Sequence, residues 1–334
     1  MKHSIRFLLA GCGRIAARHA AIIREAGTLV AVCDIDIEKA RKFAESYPAP
    51  VFEDIHQMLE QVPADVLIVC TPNGLHAAHS IAGLNAGMHV LCEKPMALSV
   101  ADCKQMLEAA ERNQRRLYIV KQNRFNPPVQ AVRSLIRENQ LGKIYSVQLN
   151  CVWNRDPLYY QDSWKGTLDM DGGILFTQFS HFIDLLWWFL GDVDAVQAMF
   201  SNQAHQNCIE FEDTAVAMLQ FKSGALASLH FSINSYKKNM EGSLLLVGEK
   251  GTVKIGGQYL NELDYQEISG VSIDSLPKGR PANEYGNYQG SMSNHGDVYD
   301  DFLRLIQAPV SEPTNAFDAM KTVEIIERIY SGRR

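Results

Sequence analysis

The chain has 334 residues, 46% hydrophobic and 21% charged, with a formal net charge of −6, which suits a globular protein of two domains. The negative charge and the lack of a Lys/Arg-rich stripe speak against a general nucleic-acid binder. Its seven cysteines (Cys12, Cys33, Cys70, Cys92, Cys103, Cys151 and Cys208) form no C-x-x-C pair, so reduced thiols of a cytoplasmic protein are expected rather than a zinc site or a disulfide framework.

The first 120 residues alternate short apolar runs with helical patterns. Strands are predicted at Ile5–Ala10, Leu29–Cys33, Val66–Cys70, His89–Cys92 and Leu117–Val120, and helices at Arg14–Ala26, Ile37–Ser46, His76–Ala86 and Ser99–Asn113. Strands this short, apolar and β-branched are covered on both faces, and their alternation with helices implies parallel βαβ units in a doubly wound sheet. Leu9-Ala10-Gly11-Cys12 mimics a lipoprotein cleavage site. The apolar run before it, Phe7–Ala10, is shorter than the roughly 7–15 residues of a signal core.

Asn126-Pro127-Pro128 marks a change of rhythm. A helix over Val129–Asn139 leads to strands at Ile144–Trp153, Val193–Ser201, Thr214–Phe221, Ala225–Asn234 and Ser243–Val247. Several are joined by links as short as Lys222-Ser223-Gly224, which requires antiparallel neighbours. A helix over Ile174–Leu190 interrupts them, and two more close the chain at Asp297–Gln307 and Ala316–Ser331. The apolar run Phe182–Leu190 is broken by Asp184 and far below the ~20 residues of a membrane span, so no membrane association is expected. Gly270–Gly290, rich in Gly, Ser, Pro and Asn, reads as a loop. The domains expected are 1–122, binding a dinucleotide, and 123–334, binding substrate and building an oligomer.

Gly11-Cys12-Gly13-Arg14-Ile15-Ala16 follows the first strand and opens the first helix. It is a G-x-G-x-x-A fingerprint: a tight turn, a backbone bare enough to approach a pyrophosphate, and a small residue for helix–sheet contact. The helix N-terminus supplies donors and a positive dipole end. Asp34 ends the second strand about 20 residues on, where a carboxylate accepts the ribose hydroxyls of NAD and repels a 2′-phosphate. The plainer alternative makes Asp34 a cap for the helix from Ile37. Thr71 and Asn73, after the next strand, are helix caps or neighbours of the nicotinamide ribose, and the two roles are compatible. His76 and His79 have no acidic partner nearby in the sequence, and no metal is expected.

Glu93-Lys94-Pro95 closes a buried strand, where a lysine is costly unless its charge or proton is used. With Gly11–Ala16, Thr71-Pro72-Asn73, His76, Lys121-Gln122-Asn123-Arg124-Phe125-Asn126-Pro127, and Gly172-Gly173 followed by His181, the chain resembles the glucose–fructose oxidoreductase, inositol dehydrogenase and MocA (Gfo/Idh/MocA) family over nearly its whole length. The resemblance implies an α/β protein: an N-terminal Rossmann domain and a C-terminal α/β domain with a large, mostly antiparallel sheet whose open face builds a homodimer or homotetramer. Within the family the chain is most similar to enzymes that oxidise the 3-hydroxyl of UDP-N-acetyl-2-amino-2-deoxyglucuronate with NAD in surface-polysaccharide (lipopolysaccharide) synthesis. Lys121–Pro128, Thr177-Gln178-Phe179-Ser180-His181 and Gly290–His295 carry that likeness.

The resemblance implies Lys94 and His181 as candidates for the catalytic base. It implies Gly11, Gly13, Arg14, Ile15, Asp34, Thr71, Asn73, His76, Glu93, Lys94, Gln122 and Trp164 around the cofactor. For a substrate carboxylate or diphosphate, Arg124, Asn126, Arg155 and Lys165 are candidates, guanidinium groups binding such anions bidentately. Lys94, Thr177, Gln178, His181 and His295 complete the expected substrate set. Many family members have aspartate where this chain has Thr177, four residues before the histidine. Threonine cannot stabilise an imidazolium by charge. Its presence is therefore expected to favour Lys94 as base and to spare an anionic substrate a repulsive charge. A free-sugar or polyol dehydrogenase, for instance of an inositol, and a non-catalytic NAD-sensing regulator are the alternatives.

Overall fold

The computed structural model describes residues 4–161, 163–284, 289–309 and 311–332, so residues 285–288 of the expected Gly270–Gly290 loop lie outside the described residues. The chain forms two compact units, Met1–Val120 with His295–Met320, and Lys121–Asn294 with Lys321–Arg334. This differs from a single break after residue 122, because a segment near the carboxyl end belongs to the first unit.

In the first unit, β1 (Ile5–Ala10), β2 (Gly27–Cys33), β3 (Val51–Phe52), β4 (Val66–Val69), β5 (His89–Cys92) and β6 (Leu117–Ile119) form a parallel sheet in the order β3-β2-β1-β4-β5-β6. Helices α1 (Ala16–Ala26), α2 (Ile37–Ser46), α3 (Ile55–Gln61), α4 (His76–Asn85) and α5 (Val100–Arg112) connect the strands. This is the doubly wound fold expected. Phe7, Leu8, Leu9 and Val66–Val69 are fully buried, as strands covered on both faces must be. Asp36, Asp54 and Ser99 cap α2, α3 and α5 by accepting a backbone N–H. Asn315 pairs with both backbone groups of Ile119 and so closes the β6 edge. Tyr118 donates to Asp301, and Arg116 reaches the Ala308 carbonyl.

In the second unit, α6 (Pro127–Arg137) begins with proline at its first position, where no N–H is needed. β7 (Ile144–Val152) is followed by α7 (Ile174–Thr177), α8 (Ser180–Leu190), β8 (Val193–Ser201), β9 (Thr214–Phe221), β10 (Leu226–Ser232), β11 (Glu241–Gly248), β12 (Gly251–Gly256) and β13 (Glu262–Ile268). The sheet runs β13-β12-β11-β7-β10-β9-β8. All its pairs are antiparallel except β7 with β10. One face is buried beneath aromatic contacts among Trp153, Phe179, Phe182 and Phe231. The other exposes Tyr145, Met199, Val216, Met218 and Leu226. A small ribbon of β14 (Ala282–Glu284) and β15 (Gln289–Met292) follows. The first unit resumes with α9 (His295–Gln307), and α10 (Ala316–Ser331) is the last helix of the described residues.

Candidate active site

The glycine fingerprint is built as its chemistry requires. Gly11 has φ +90°, and a Cβ there would lie 2.5 Å from the Cys70 carbonyl oxygen, so only glycine fits. Gly13 is different: a Cβ would meet no protein atom within 4 Å. Nothing in the protein demands a bare backbone there, whereas the approach of a pyrophosphate does. Ala16, the first residue of α1, is fully buried, and Arg14 is exposed beside Ile15 at the mouth of the helix. Asp34 accepts from the Cys12 and Asp36 backbone N–H groups at 2.8 and 3.1 Å and pairs with Lys39 at 3.2 Å. It is fixed at the end of β2, and the helix cap is Asp36, not Asp34. These residues fit a dinucleotide with free ribose hydroxyls. The thiols beside them are inert: burial, the largest cause, pushes Cys12 and Cys33 up to about 12.

Lys94 sits in a brace of three buried histidines. Glu93 Oε1 accepts from His19 Nε2 at 2.9 Å and from His295 Nε2 at 3.2 Å, and Oε2 accepts the Lys94 backbone N–H at 3.2 Å. Because a carboxylate only accepts, His19 must carry its proton on Nε2, leaving Nδ1 to accept from the Tyr299 hydroxyl at 2.9 Å. Burial pushes the Glu93 pKa up, but the bonds from His19 and His295 outweigh it and hold the group well below the usual carboxylate range. The ligand atoms of His19, Glu93 and His295 lie within 4.8 Å of one another, yet both rings already spend their Nε2–H on the carboxylate. On the other side, Lys94-Pro95 is a cis peptide, and His76 Nδ1 lies 2.6 Å from the Pro95 carbonyl oxygen. His76 Nε2 lies 2.9 Å from the Thr71 carbonyl, so the ring sits between the Thr71-Pro72-Asn73 segment and the Lys94 segment and, when neutral, donates to one of the two carbonyls. Burial lowers the His76 pKa. Thr71 bonds His79 Nδ1 through its hydroxyl at 3.0 Å, and Asn73 is buried.

In the second unit, the turn Gln122–Phe125 packs against α8. Arg124 bonds Asp184 through Nε at 2.7 Å and Nη2 at 2.8 Å, and Lys121 joins at 3.0 Å. Burial pushes Asp184 up, but Arg124 and then Lys121 overcome it and hold the carboxylate well below its usual range. Asn126 donates to the Tyr259 and Leu260 carbonyls and accepts from Asn294. Both Arg124 and Asn126, expected at substrate, are thus seen in structural bonds. Arg155 lies 5.1 Å over the rings of both Trp153 and Tyr159, and Lys165 lies 4.8 Å from the Trp164 ring and 5.2 Å from that of Tyr159. Cation–π stacking keeps both cations on one aromatic surface.

The expected helix Ile174–Leu190 is two helices, so Gln178 lies in the break and does not share a continuous helical face with His181 and Asp184. His181 is buried in the first turn of α8. Thr177 itself carries no charge, and its hydroxyl donates to the carboxylate of Asp171, which is fully buried. Asp171 also accepts the Gly166 N–H at 2.9 Å, pinning the Trp164-Lys165 segment. Gly173 has φ +119°, and a Cβ there would collide with the Tyr330 hydroxyl, which explains the second of the paired glycines. His19 and Asp171 were missed by sequence reasoning. One is a lone histidine among helix alanines and the other one aspartate of several, and neither has a spacing signal.

Residues 5–121 match the profile of an oxidoreductase family with an NAD-binding Rossmann fold, and residues 129–254 match the GFO/IDH/MocA C-terminal domain. The WlbA dehydrogenase from Chromobacterium violaceum, solved with NADH and UDP-GlcNAcA, is 34% identical with a TM-score of 0.89, covering 99% of this chain and 94% of that one. That from Bordetella pertussis, solved with the same pair, is 34% identical with a TM-score of 0.88 over 99% and 96%. Glucose-6-phosphate 3-dehydrogenase of Bacillus subtilis is 25% identical over 96% of this chain and 94% of its own. The chain belongs to the Gfo/Idh/MocA family of oxidoreductases. It is an NAD-dependent dehydrogenase acting on a CH–OH group.

Proposed function

We propose that the chain oxidises the 3-hydroxyl of UDP-N-acetyl-2-amino-2-deoxyglucuronate with NAD, as a step of surface-polysaccharide (lipopolysaccharide) synthesis. The observation that carries this reading is the 34% identity over 99% of the chain to enzymes solved with UDP-GlcNAcA, against 20% for levoglucosan dehydrogenase at similar coverage. Arg155 and Lys165, stacked on one aromatic surface, support it as ligands for the carboxylate or diphosphate. The curated relatives favour a second reading, a free sugar or polyol, through glucose-6-phosphate 3-dehydrogenase and the myo-inositol 2-dehydrogenase of Thermotoga maritima at 26% identity.

NAD supplies the hydride acceptor when bound. The protein's task is to take the hydroxyl proton and hold the reacting carbon in place. We assign proton removal to Lys94, whose backbone is braced through Glu93 and Pro95. His181 is the competing base. Gly11, Gly13, Arg14, Ile15, Asp34, Thr71 and Asn73 hold the dinucleotide in this reading, with Gln122 and Trp164 beside it. Arg124 and Asn126 shape the substrate wall through Asp184 and Asn294. His76 and His295 support the Lys94 segment.

The exposed sheet face with Val216, Met218 and Leu226 suits a homodimer or homotetramer. A cytoplasmic location accords with the seven free cysteines and the NAD cofactor. No helix among the described residues is long and apolar enough to cross a membrane. Initial rates of NAD reduction decide the substrate: the UDP-linked uronate should be turned over and myo-inositol and glucose 6-phosphate should not. The reverse preference would reject the nucleotide-sugar reading.

A further inference from the structure

The buried face of α1 consists of Ala16, His19, Ala20 and Ile23, so a single polar side chain interrupts it. His19 is fully buried, yet both of its ring nitrogens are engaged by side chains from distant parts of the chain. Nε2 meets Glu93, 74 residues on, and Nδ1 meets Tyr299, 280 residues on. Tyr299 and His295 stand four residues apart on α9 and so share one face of that helix. From that face His295 reaches the same oxygen of Glu93 that His19 holds. The two imidazole rings meet edge to face, with centroids 5.4 Å apart. His19, Glu93, His295 and Tyr299 all belong to the first unit.

A polar chain through a core is costly beside apolar side chains of the same volume. This chain has one direction, and it ends on Lys94. Burial, followed by the nearby Cys70 and Glu93, pushes the Tyr299 phenol well above its ordinary value, so the hydroxyl keeps its proton and donates to His19. His19 donates to Glu93 Oε1, and Glu93 Oε2 accepts the Lys94 backbone N–H. With His19 and His295 both on Oε1, the carboxylate is kept from turning and its other oxygen stays with Lys94. We propose that His19, held in place by Tyr299, is a positioning residue for the reaction: it fixes the Glu93 carboxylate and, through it, the backbone that carries the Lys94 amine. The inference rests on the assignment of Lys94 as base and adds two residues that act on Lys94 only through Glu93.

The test uses the full chain with His19→Leu, His19→Gln and Tyr299→Phe, each also combined with Lys94→Met. The kcat and KM for the UDP-linked uronate, NADH binding by fluorescence and thermal unfolding are measured for each. Leucine keeps bulk alone, whereas glutamine keeps an N–H donor for Glu93. His19→Leu should lose roughly 10–100-fold in kcat, the effect of a misplaced catalytic group. Its KM and its NADH affinity should stay within about twofold of the wild type. His19→Gln should recover most of the loss, and Tyr299→Phe should lose less than His19→Leu. In the Lys94→Met background His19→Leu should lower kcat no further, because both changes act on one group. A wild-type kcat in His19→Leu, even with a lower melting temperature, would overturn the proposal. Equal losses in the leucine and glutamine variants, or a loss that persists in full without Lys94, would do the same. Should His19→Leu fail to fold, Tyr299→Phe, which keeps its ring, decides by the double-variant comparison. Failure of the base assignment looks different: Lys94→Met itself then turns over as the wild type does. An enzyme that prefers a free sugar sinks the nucleotide-sugar reading, and the comparison is then run on that sugar.

Discussion

Glu93 in the first unit and Asp184 in the second are both buried carboxylates, but they are held by different means. Glu93 is held by ring N–H donors of two histidines, His19 and His295. Asp184 is held by Arg124 and Lys121 in a buried ion-pair cluster, with Thr322 donating at 2.9 Å. The first arrangement ties a catalytic candidate to single hydrogen bonds from imidazole rings. The second is a lock, costly to break from either side.

The largest expected effect falls on the first unit. Lys94→Met should bind NADH but lose roughly 10²–10⁴-fold in kcat, the usual worth of a positioned base. Wild-type turnover in that variant would transfer the role to His181. In the second unit, Asp184→Asn removes the carboxylate that Arg124 and Lys121 share and should cost about 3–5 kcal/mol in denaturant unfolding. An unchanged midpoint would show that the two cations find other partners.

The response to acid separates the units further. Burial, the largest cause in each case, lowers the pKa of His76, His79, His89 and His295, to about 4 for His79 and His89. All four lie in the first unit. Below their unfolded value near 6.5 the unfolded chain binds protons that these rings refuse, so their contribution is full above pH 6.5 and shrinks toward pH 4. Asp184 and Asp213 in the second unit have lowered values, so what they add is present above about pH 4 and lost only below it. Hydrogen exchange between pH 7 and 5 should show the first unit loosening before the second. Equal loosening would break the comparison. The smallest effect is expected at Thr177→Val, which removes one donor from buried Asp171 and should cost about 1–3 kcal/mol, with KM rising more than kcat falls.

Much of the first unit was legible because its signals are local. The fingerprint, Asp34 and the strand–helix rhythm lie within a few residues of the features they predict. β3 and α3 escaped notice because a two-residue strand carries no periodicity. β13 was missed for another reason: its sequence, Glu262–Ile268, is largely polar and its side chains largely exposed. The parallel pairing of β7 with β10 and the return of α9 to the first unit are tertiary facts with no local signature. The site follows the same rule. Lys94 and His181 stood out by motif. The partners that orient them or hold nearby loops, such as His19 beside Glu93 and Asp171 beside Thr177, come from distant or unmarked positions.

The most direct test of the account is hydride tracing. UDP-N-acetylglucuronate carrying deuterium at C3 is incubated with the enzyme and NAD, and the reduced cofactor is weighed by mass spectrometry. The account predicts deuterated NADH formed together with the 3-keto sugar nucleotide, and little of either with Lys94→Met. Unlabelled NADH, or NADH formed only when a free sugar or inositol is supplied, would contradict it.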